Sequence, residues 1–456
     1  MEYENRTENP LGVLPVPVLL KKFAVPSIIA MLTSALYNIV DQFFIGNSVG
    51  ALGNAATNIA FPLSTACISI ALLFGIGGAS AFNLAKGRGN EEEAVHCMGN
   101  AITGMMVLGC LLLCITQLFL EPMIRFFGAP DSIMEYAKTY IRITSLGFPV
   151  LILTAGGGHL IRADGSPKMS MICNVTGAII NTILDALFVF GFGWGMAGAA
   201  WATVTGQYIS VMLVIRYLSH CKTVDLKPKH LKPAAGYMKK DVTLGAASCS
   251  NQLAMMVVQL VMNKSLTYYG ALSSYGQEIP LACAGIITKV NQVFFSIIIG
   301  ISQGLQPIVS YNYGAKQYDR VKKGYLLAAK TGLTISVIAF LIFQIFPRQI
   351  IAIFGNGSEE YIRFAVSYFR IFLFFTFLNF IQPITSNSFT AIGKPGLGMF
   401  LSLTRQILFL LPLIVILPFF IGIDGILFAG PIADGLAGAV AVFLMYRELK
   451  RPEYQV

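Results

Sequence analysis

Residues 163–171 read Ala163-Asp164-Gly165-Ser166-Pro167-Lys168-Met169-Ser170-Met171, and 228 positions later residues 391–399 read Ala391-Ile392-Gly393-Lys394-Pro395-Gly396-Leu397-Gly398-Met399. Alanine, glycine, proline and methionine keep their spacing in both copies. The same offset carries Ala137, Tyr140, Arg142 and Ile143 onto Ala365, Tyr368, Arg370 and Ile371. An offset one residue shorter carries Gly87 onto Gly314 and Phe127-Gly128 onto Phe354-Gly355, as well as Gly195, Gly198 and Ala202 onto Gly422, Gly425 and Ala429. Matches this widely spread under nearly one offset describe a duplicated unit of six segments. Almost everything between these landmarks is apolar, so the unit is a membrane bundle, and two facing bundles leave a cleft that reads as a transport path.

Composition points to the same class. The chain of 456 residues is 55% hydrophobic and only 12% charged, with a mean hydropathy of +0.69. In soluble domains about a quarter of residues are charged. The eight cysteines show no CxxC and no spacing with histidine that suits a metal, and they are expected to pack as small core residues. Glu2, Glu4 and Glu8, with Pro10, Pro15 and Pro17, do not make a cleavable signal peptide, so the N-terminus is expected to stay in the cytoplasm.

Apolar stretches long enough to cross the hydrocarbon core occur at 22–46, 55–85, 95–119, 137–160, 168–190 and 196–218, and again at 243–269, 281–311, 324–346, 361–388, 397–420 and 424–446. Twelve segments, six in each half, give a parallel repeat about an axis along the membrane normal. The expected organisation is an N-lobe over 1–218, a basic linker over 219–242 and a C-lobe over 243–456. Lys21, Lys22, Lys86, Arg88, Arg162, Lys168, the stretch 216–240, Lys316, Arg320, Lys322, Lys323, Lys394, Arg447, Lys450 and Arg451 all fall on one side. The positive-inside rule makes that side cytoplasmic, with both termini there. The net charge of +10 is thereby absorbed by topology, which leaves no case for nucleic acid.

Ionisable residues away from the interfaces are costly in a bilayer and mark function. Asp41 lies about sixteen residues beyond the cytoplasmic edge of the first segment, roughly 24 Å along a helix. Asp185 comes out level with it in the fifth segment. Asn181 lies one turn before Asp185, Tyr37 and Asn38 one turn before Asp41, and Thr203 enters segment six at a comparable depth. Together they describe an acidic pocket inside the first half. A carboxylate in a low-dielectric site can take up and release a proton, and several oxygens together can hold Na⁺. The competing structural reading puts Asp41 at the outer interface and makes Asp185 a cap before the turn at Gly191 to Gly195.

The second half offers amides rather than acids. Asn251, Gln252, Gln259 and Gln306 lie on segments seven and eight, and Asn379 and Gln382 on segment ten, as candidates to line the substrate cavity. Asp434 in segment twelve is either a supporting ionisable group or one half of an ion pair with Arg405. Lys264 can snorkel to the outer interface. Lys289, deeper in its segment, is a candidate lock for the cleft or counter-ion. Pro26 is placed to bend the helix that carries Asp41, and Gly75, Gly77 and Gly78 thin segment two for a close neighbour.

The run from Pro26 to Gly46, with Tyr37-Asn38 and Asp41-Gln42-Phe43-Phe44-Ile45-Gly46, then Phe74-Gly75 and Gly78-Ala79-Ser80, resembles the start of a multidrug and toxic compound extrusion (MATE) transporter. Gln303-Gly304-Leu305-Gln306-Pro307 and Asn312-Tyr313-Gly314-Ala315 resemble the matching stretch of that family's second half. The likeness spans essentially the whole chain and is nearest the MepA-like bacterial branch, close to the DinF-like one. It implies an all-α membrane protein of two six-helix lobes in a V, resident in a bacterial plasma membrane and working as a monomer among lipids. Such a protein exports lipophilic, often cationic drugs or toxic metabolites in exchange for H⁺ or Na⁺, with no other cofactor. The family's N-lobe cation site maps onto Asp41, Asn181, Asp185 and Thr203, and Pro26 onto its first-helix proline. Some members carry acids in segments seven and ten; here Asn251, Asn379 and Gln382 stand in those segments, which argues against a C-lobe sodium site.

Two other functions fit the sequence less well. A lipid-linked precursor flippase would want several arginines gripping pyrophosphate inside the cleft. A membrane enzyme would want clustered acids or a histidine beside a nucleophile, and the four histidines are scattered.

Overall fold

The computed structural model describes residues 9–354 and 358–454, with only the backbone at position 51. Glu2, Glu4, Glu8 and Gly355 lie outside the described residues. The described residues are helical and contain no strand. Among the described residues eleven helices are long and apolar enough to cross a membrane, and a bent pair taken as one span makes a twelfth. In chain order these are α1 (Val16–Ser48), α2 (Leu52–Gly87), α3 (Glu91–Leu118), α4 (Asp131–Ser145 with Phe148–Ala163), α5 (Pro167–Gly191) and α6 (Gly195–Leu218). The second half repeats them as α7 (Ala235–Ala271), α8 (Glu278–Gly314), α9 (Tyr318–Ile345), α10 (Glu359–Ala391), α11 (Pro395–Ile421) and α12 (Ile423–Leu449).

The repeated Ala-x-Gly-x-Pro has a local cause. Gly165 and Gly393 take φ of +87° and +76°, a region that costs an L side chain and suits glycine. Ser166 N–H then reaches back to Ile161 C=O and Lys394 N–H to Phe389 C=O, closing the ends of α4 and α10. Pro167 and Pro395 start the next helices, where a missing N–H costs nothing. The breaks repeat as well. α4 bends by 55° after Ser145, and α10 is interrupted by a short 3₁₀ turn at Thr376–Leu378. Short helices Leu120–Phe126 and Pro347–Ile353 precede them.

Each half has its own apolar core. One gathers Phe74, Phe82, Met98, Met105, Ile141 and Leu160, the other Phe294, Ile298, Phe343, Phe369 and Phe389. α1 is divided between the two, with Leu19, Leu20, Phe23 and Ala24 in the second-half core and Ile45 in the first. Pro26 therefore lies well inside α1, which starts at Val16, and is buried. The large exposed side chains, such as Phe126, Ile353, Phe419 and Phe420, form the apolar surface that a bilayer covers. Cysteines 67, 97, 173 and 283 are buried as expected, whereas Cys110 and Cys114 are exposed on α3.

The halves meet along a seam at the face that carries the basic loops. Backbone touches backbone there. A Cβ placed on Gly77 would lie 1.9 Å from Asp241 O, one on Gly245 1.7 Å from Leu73 O, and one on Gly304 2.5 Å from Ala24 Cα. Gly87 and Gly314 face each other's helices in the same way, at 2.2 Å from Tyr311 O and 2.4 Å from Leu84 O. Gln306 donates across the seam to Ile76 C=O (3.1 Å) and Ser80 Oγ (2.8 Å). Asn312 and Arg320 donate to Leu11 C=O, and Arg320 also to Leu14 C=O. Beyond Met31, no side-chain hydrogen bond joins α1 to the second half among the described residues.

The connection between the halves is strapped down, and it ends at 234 because α7 begins with Ala235. Buried Asp164 accepts from Lys222 N–H (2.6 Å), from Thr223 N–H (3.0 Å) and from the hydroxyl of Thr223. Asn100 accepts from Ala234 N–H and Thr103 donates to Leu231 C=O. His230 Nδ1 accepts from Lys227 N–H at 3.1 Å, and its ring packs edge-on against His96.

Gly304→Leu cannot be accommodated without separating α8 from α1 and should cost about 1–3 kcal/mol, read as a lower thermal midpoint in detergent. Burial, with His96, Lys229 and Lys227 nearby, lowers the pKa of His230, so its contribution to stability is complete above about 6.5 and is lost as pH falls through the lowered value. Hydrogen exchange over 219–234, corrected for intrinsic rates, should quicken between about pH 7.5 and 5.5, and His230→Gln should remove that dependence.

Candidate functional site

The carboxyls of Asp41 and Asp185 lie side by side, brought together from α1 and α5. Both residues are buried, Asp185 completely. α5 and α6 approach closely because both carry glycines where they touch: a Cβ on Gly206 would lie 2.9 Å from Gly177 O, and one on Gly177 2.1 Å from Ser210 Oγ. That approach lets Asn181 Nδ2 donate to Thr203 Oγ1 at 3.2 Å. Tyr37 adds its hydroxyl within hydrogen-bonding reach of Thr203. Tyr140, on the bent helix α4, faces Asp41, Asp185 and Tyr37 from a third direction. The sequence offered Tyr140 only as a landmark of the repeat, since its depth along a kinked helix cannot be counted from the interface.

The decisive property is a surplus of acceptors. Asp41 Oδ1, both carboxylate oxygens of Asp185 and Asn181 Oδ1 are buried with no hydrogen-bond donor. Leaving such oxygens unsatisfied costs about 1–3 kcal/mol each, and more when they are charged. A proton shared between the carboxyls, or a hard cation held by several oxygens, would satisfy them. Immediately after Asp185 the helix widens into a π-helical turn at Ala186–Gly191, a distortion that often accompanies functional sites. Phe188 of this turn clusters with Phe192 and Trp194 just beyond it, and Phe190 packs 5.4 Å from Phe44 of α1.

The other candidates are placed elsewhere. Asn38 is exposed and donates to Ser34 C=O of its own helix, so it does not join the pocket. Gln259 donates to Asn263, and Asn251 reaches only Met255 Sδ at 3.8 Å, while Gln252 is half-buried beside it. Gln382 donates to Leu401 C=O, and Gln306 is spent in the seam. These amides do not converge on one place. Asn379 instead stands beside Asp434, which is paired with Arg405 at 2.5 Å in the core of the second half. Lys289 is half-buried and makes no hydrogen bond or ion pair among the described residues.

Twelve apolar spans in two repeated bundles, with an acidic pocket buried in one of them, define a multi-pass membrane transporter rather than an enzyme. The sequence model described as MatE matches the chain twice, over residues 26–187 and 247–416, once in each half. The chain belongs to the MatE family. It is 25% identical over 427 residues to the multidrug export protein MepA of Staphylococcus haemolyticus, covering 93% of this chain and 92% of that one. It is also 25% identical to the FAD transporter of Shewanella oneidensis, covering 96% of each chain. Among solved structures, the MATE multidrug transporter DinF-BH in complex with R6G is 32% identical, with a TM-score of 0.90 over 98% of both chains.

The buried pair in the second half tests whether polarity there is structural. Asp434→Ala leaves the partly buried Arg405 unpaired and should cost about 3 kcal/mol, whereas removing both charges with Asp434→Leu and Arg405→Met should recover most of it. Thermal unfolding of the three proteins in one detergent measures this.

Proposed function

We propose that the chain exports lipophilic, cationic small molecules in exchange for H⁺ or Na⁺. The observation that carries this reading is the set of buried, donor-free oxygens of Asp41, Asp185 and Asn181, the first of them on α1, whose other end lies in the seam. With Thr203 and Tyr37 they form an all-oxygen set that suits either ion. A bound cation would neutralise the pair and let α1 and α5 stay packed. Its loss would leave two adjacent buried carboxylates repelling each other and push the helices apart. α1 transmits the difference. Its far end carries Asp41, while its near end is clamped at Ala24 and Ile28 by Gly304 and Gly300 of α8.

If the basic face is cytoplasmic, the closed seam is what an outward-facing state requires. Transport then requires the seam to open in alternation with the far side, as two-bundle transporters do. Export of drugs is supported by the similarity to MepA and to DinF-BH along nearly the whole chain. An anionic cargo is the second reading, favoured by the unpartnered Lys289 and by the similarity to the FAD transporter.

Ethidium efflux from cells lacking their own pumps tests the proposal under an imposed proton gradient and then a sodium gradient. One gradient should drive efflux in the wild type, and Asp41→Asn and Asp185→Asn should each abolish it at unchanged protein level. Intact efflux in both variants would overturn the coupling role. Strong competition by FAD, lost in Lys289→Gln, would favour the anionic cargo.

A further inference from the structure

A second acid is buried without a partner, and it lies in the seam rather than the pocket. Asp241, on the second turn of α7, is completely inaccessible, and neither of its carboxylate oxygens has a hydrogen-bond donor. Its own backbone is the surface against which Gly77 of α2 packs, and Gly245 one turn later packs on Leu73. Around it lie Ala81 and Leu84 of α2, Cys97 of α3, and Leu244 and Tyr237 of α7. The facing residues of α2 hold no titratable group. From α3 the facing groups are the Cys97 thiol and, further out, Glu93 and His96. On α7 the neighbouring cation is Lys240, whose ammonium is taken by Glu93 at 2.6 Å, while His96 stacks on Tyr237. Lys394, at the start of α11, which also packs on α7, is taken by Glu448, and among the described residues no ion pair reaches the carboxyl of Asp241.

An ionised carboxylate in this position would be desolvated without compensation. The closed seam therefore requires the neutral acid. Separating α2 from α7 would expose the same group to water, where it ionises. We propose that Asp241 is a proton-binding site distinct from the Asp41 and Asp185 pair, filled while the basic-face seam is closed and emptied when that seam opens. The linkage has one sign. Acidification of the compartment at the basic face favours the closed seam, and alkalinisation favours opening. The part that concerns opening rests on the alternating-access reading given above, whereas the proton site rests on the closed structure alone.

Infrared titration of the full-length protein in lipid tests the site. In the Asp41→Asn, Asp185→Asn double variant, a protonated-carboxyl band should persist at neutral pH and disappear when Asp241→Asn is added. If the band is the same with and without Asp241, no proton is held there and the proposal fails, whatever the double variant does to efflux. Alkylation of Cys97 by N-ethylmaleimide at one fixed pH, followed by mass spectrometry, tests the seam. Asp241→Asn keeps the site neutral and should slow labelling by about fivefold or more. A lost negative charge acts on a neighbouring thiol in the opposite direction, so slowing reports the seam itself. Unchanged or faster labelling would overturn the link to opening. Absence of gradient-driven efflux in the wild type, with the band still assigned to Asp241, would instead discard the antiport reading and leave the proton site standing.

Discussion

A carboxyl group buried in apolar surroundings with no donor in reach must carry a proton, hold a cation or be exposed by a rearrangement. The chain places three such acids where helices from different parts of the fold meet: Asp41 and Asp185 between α1 and α5, and Asp241 between α2 and α7. Each ties a local charge state to a helix contact. In the readings proposed above, the pair governs whether α1 and α5 can remain packed, and the single acid whether α2 and α7 can.

The rest of the structure gives those contacts leverage. The seam is made of glycines on both partners, so the backbones touch and a small separation removes many contacts at once. α1 belongs to both cores, through Leu19 to Ala24 on one side and Ile45 on the other. A change at Asp41 is consequently carried into the second half by a continuous helix rather than by a chain of side chains. The strapped linker, held through Asp164, fixes the start of α7 and with it the position of Asp241.

The repeat does not extend to the chemistry. The shorter offset would carry Asp41 onto Tyr268, and the longer one Asp185 onto Leu413. The ionisable core of the second half is instead the Asp434 and Arg405 pair, in which each charge already has its partner. Duplication preserved what the backbone needs, namely the turn glycines, the prolines that open helices and the break in the fourth helix of each half. The acids on the two inner surfaces follow no such requirement.

The sequence by itself determined the architecture. Spans, parallel repeat and turn positions are local properties of hydropathy, glycine and proline, and each could be counted along the chain. Asp41, Asn181, Asp185 and Thr203 were legible as a group because they lie on regular helices whose depth follows from residue number. Only the tertiary structure decided which polar groups lack partners. Asn38 turns back to its own helix, Gln306 serves the seam, Tyr140 joins the pocket across a bend, and Asp241, hidden at the edge of a basic linker, is an acid buried in the seam. Depth is a property of one helix, whereas satisfaction of a hydrogen bond depends on how several helices pack, and packing is fixed by contacts between residues hundreds of positions apart.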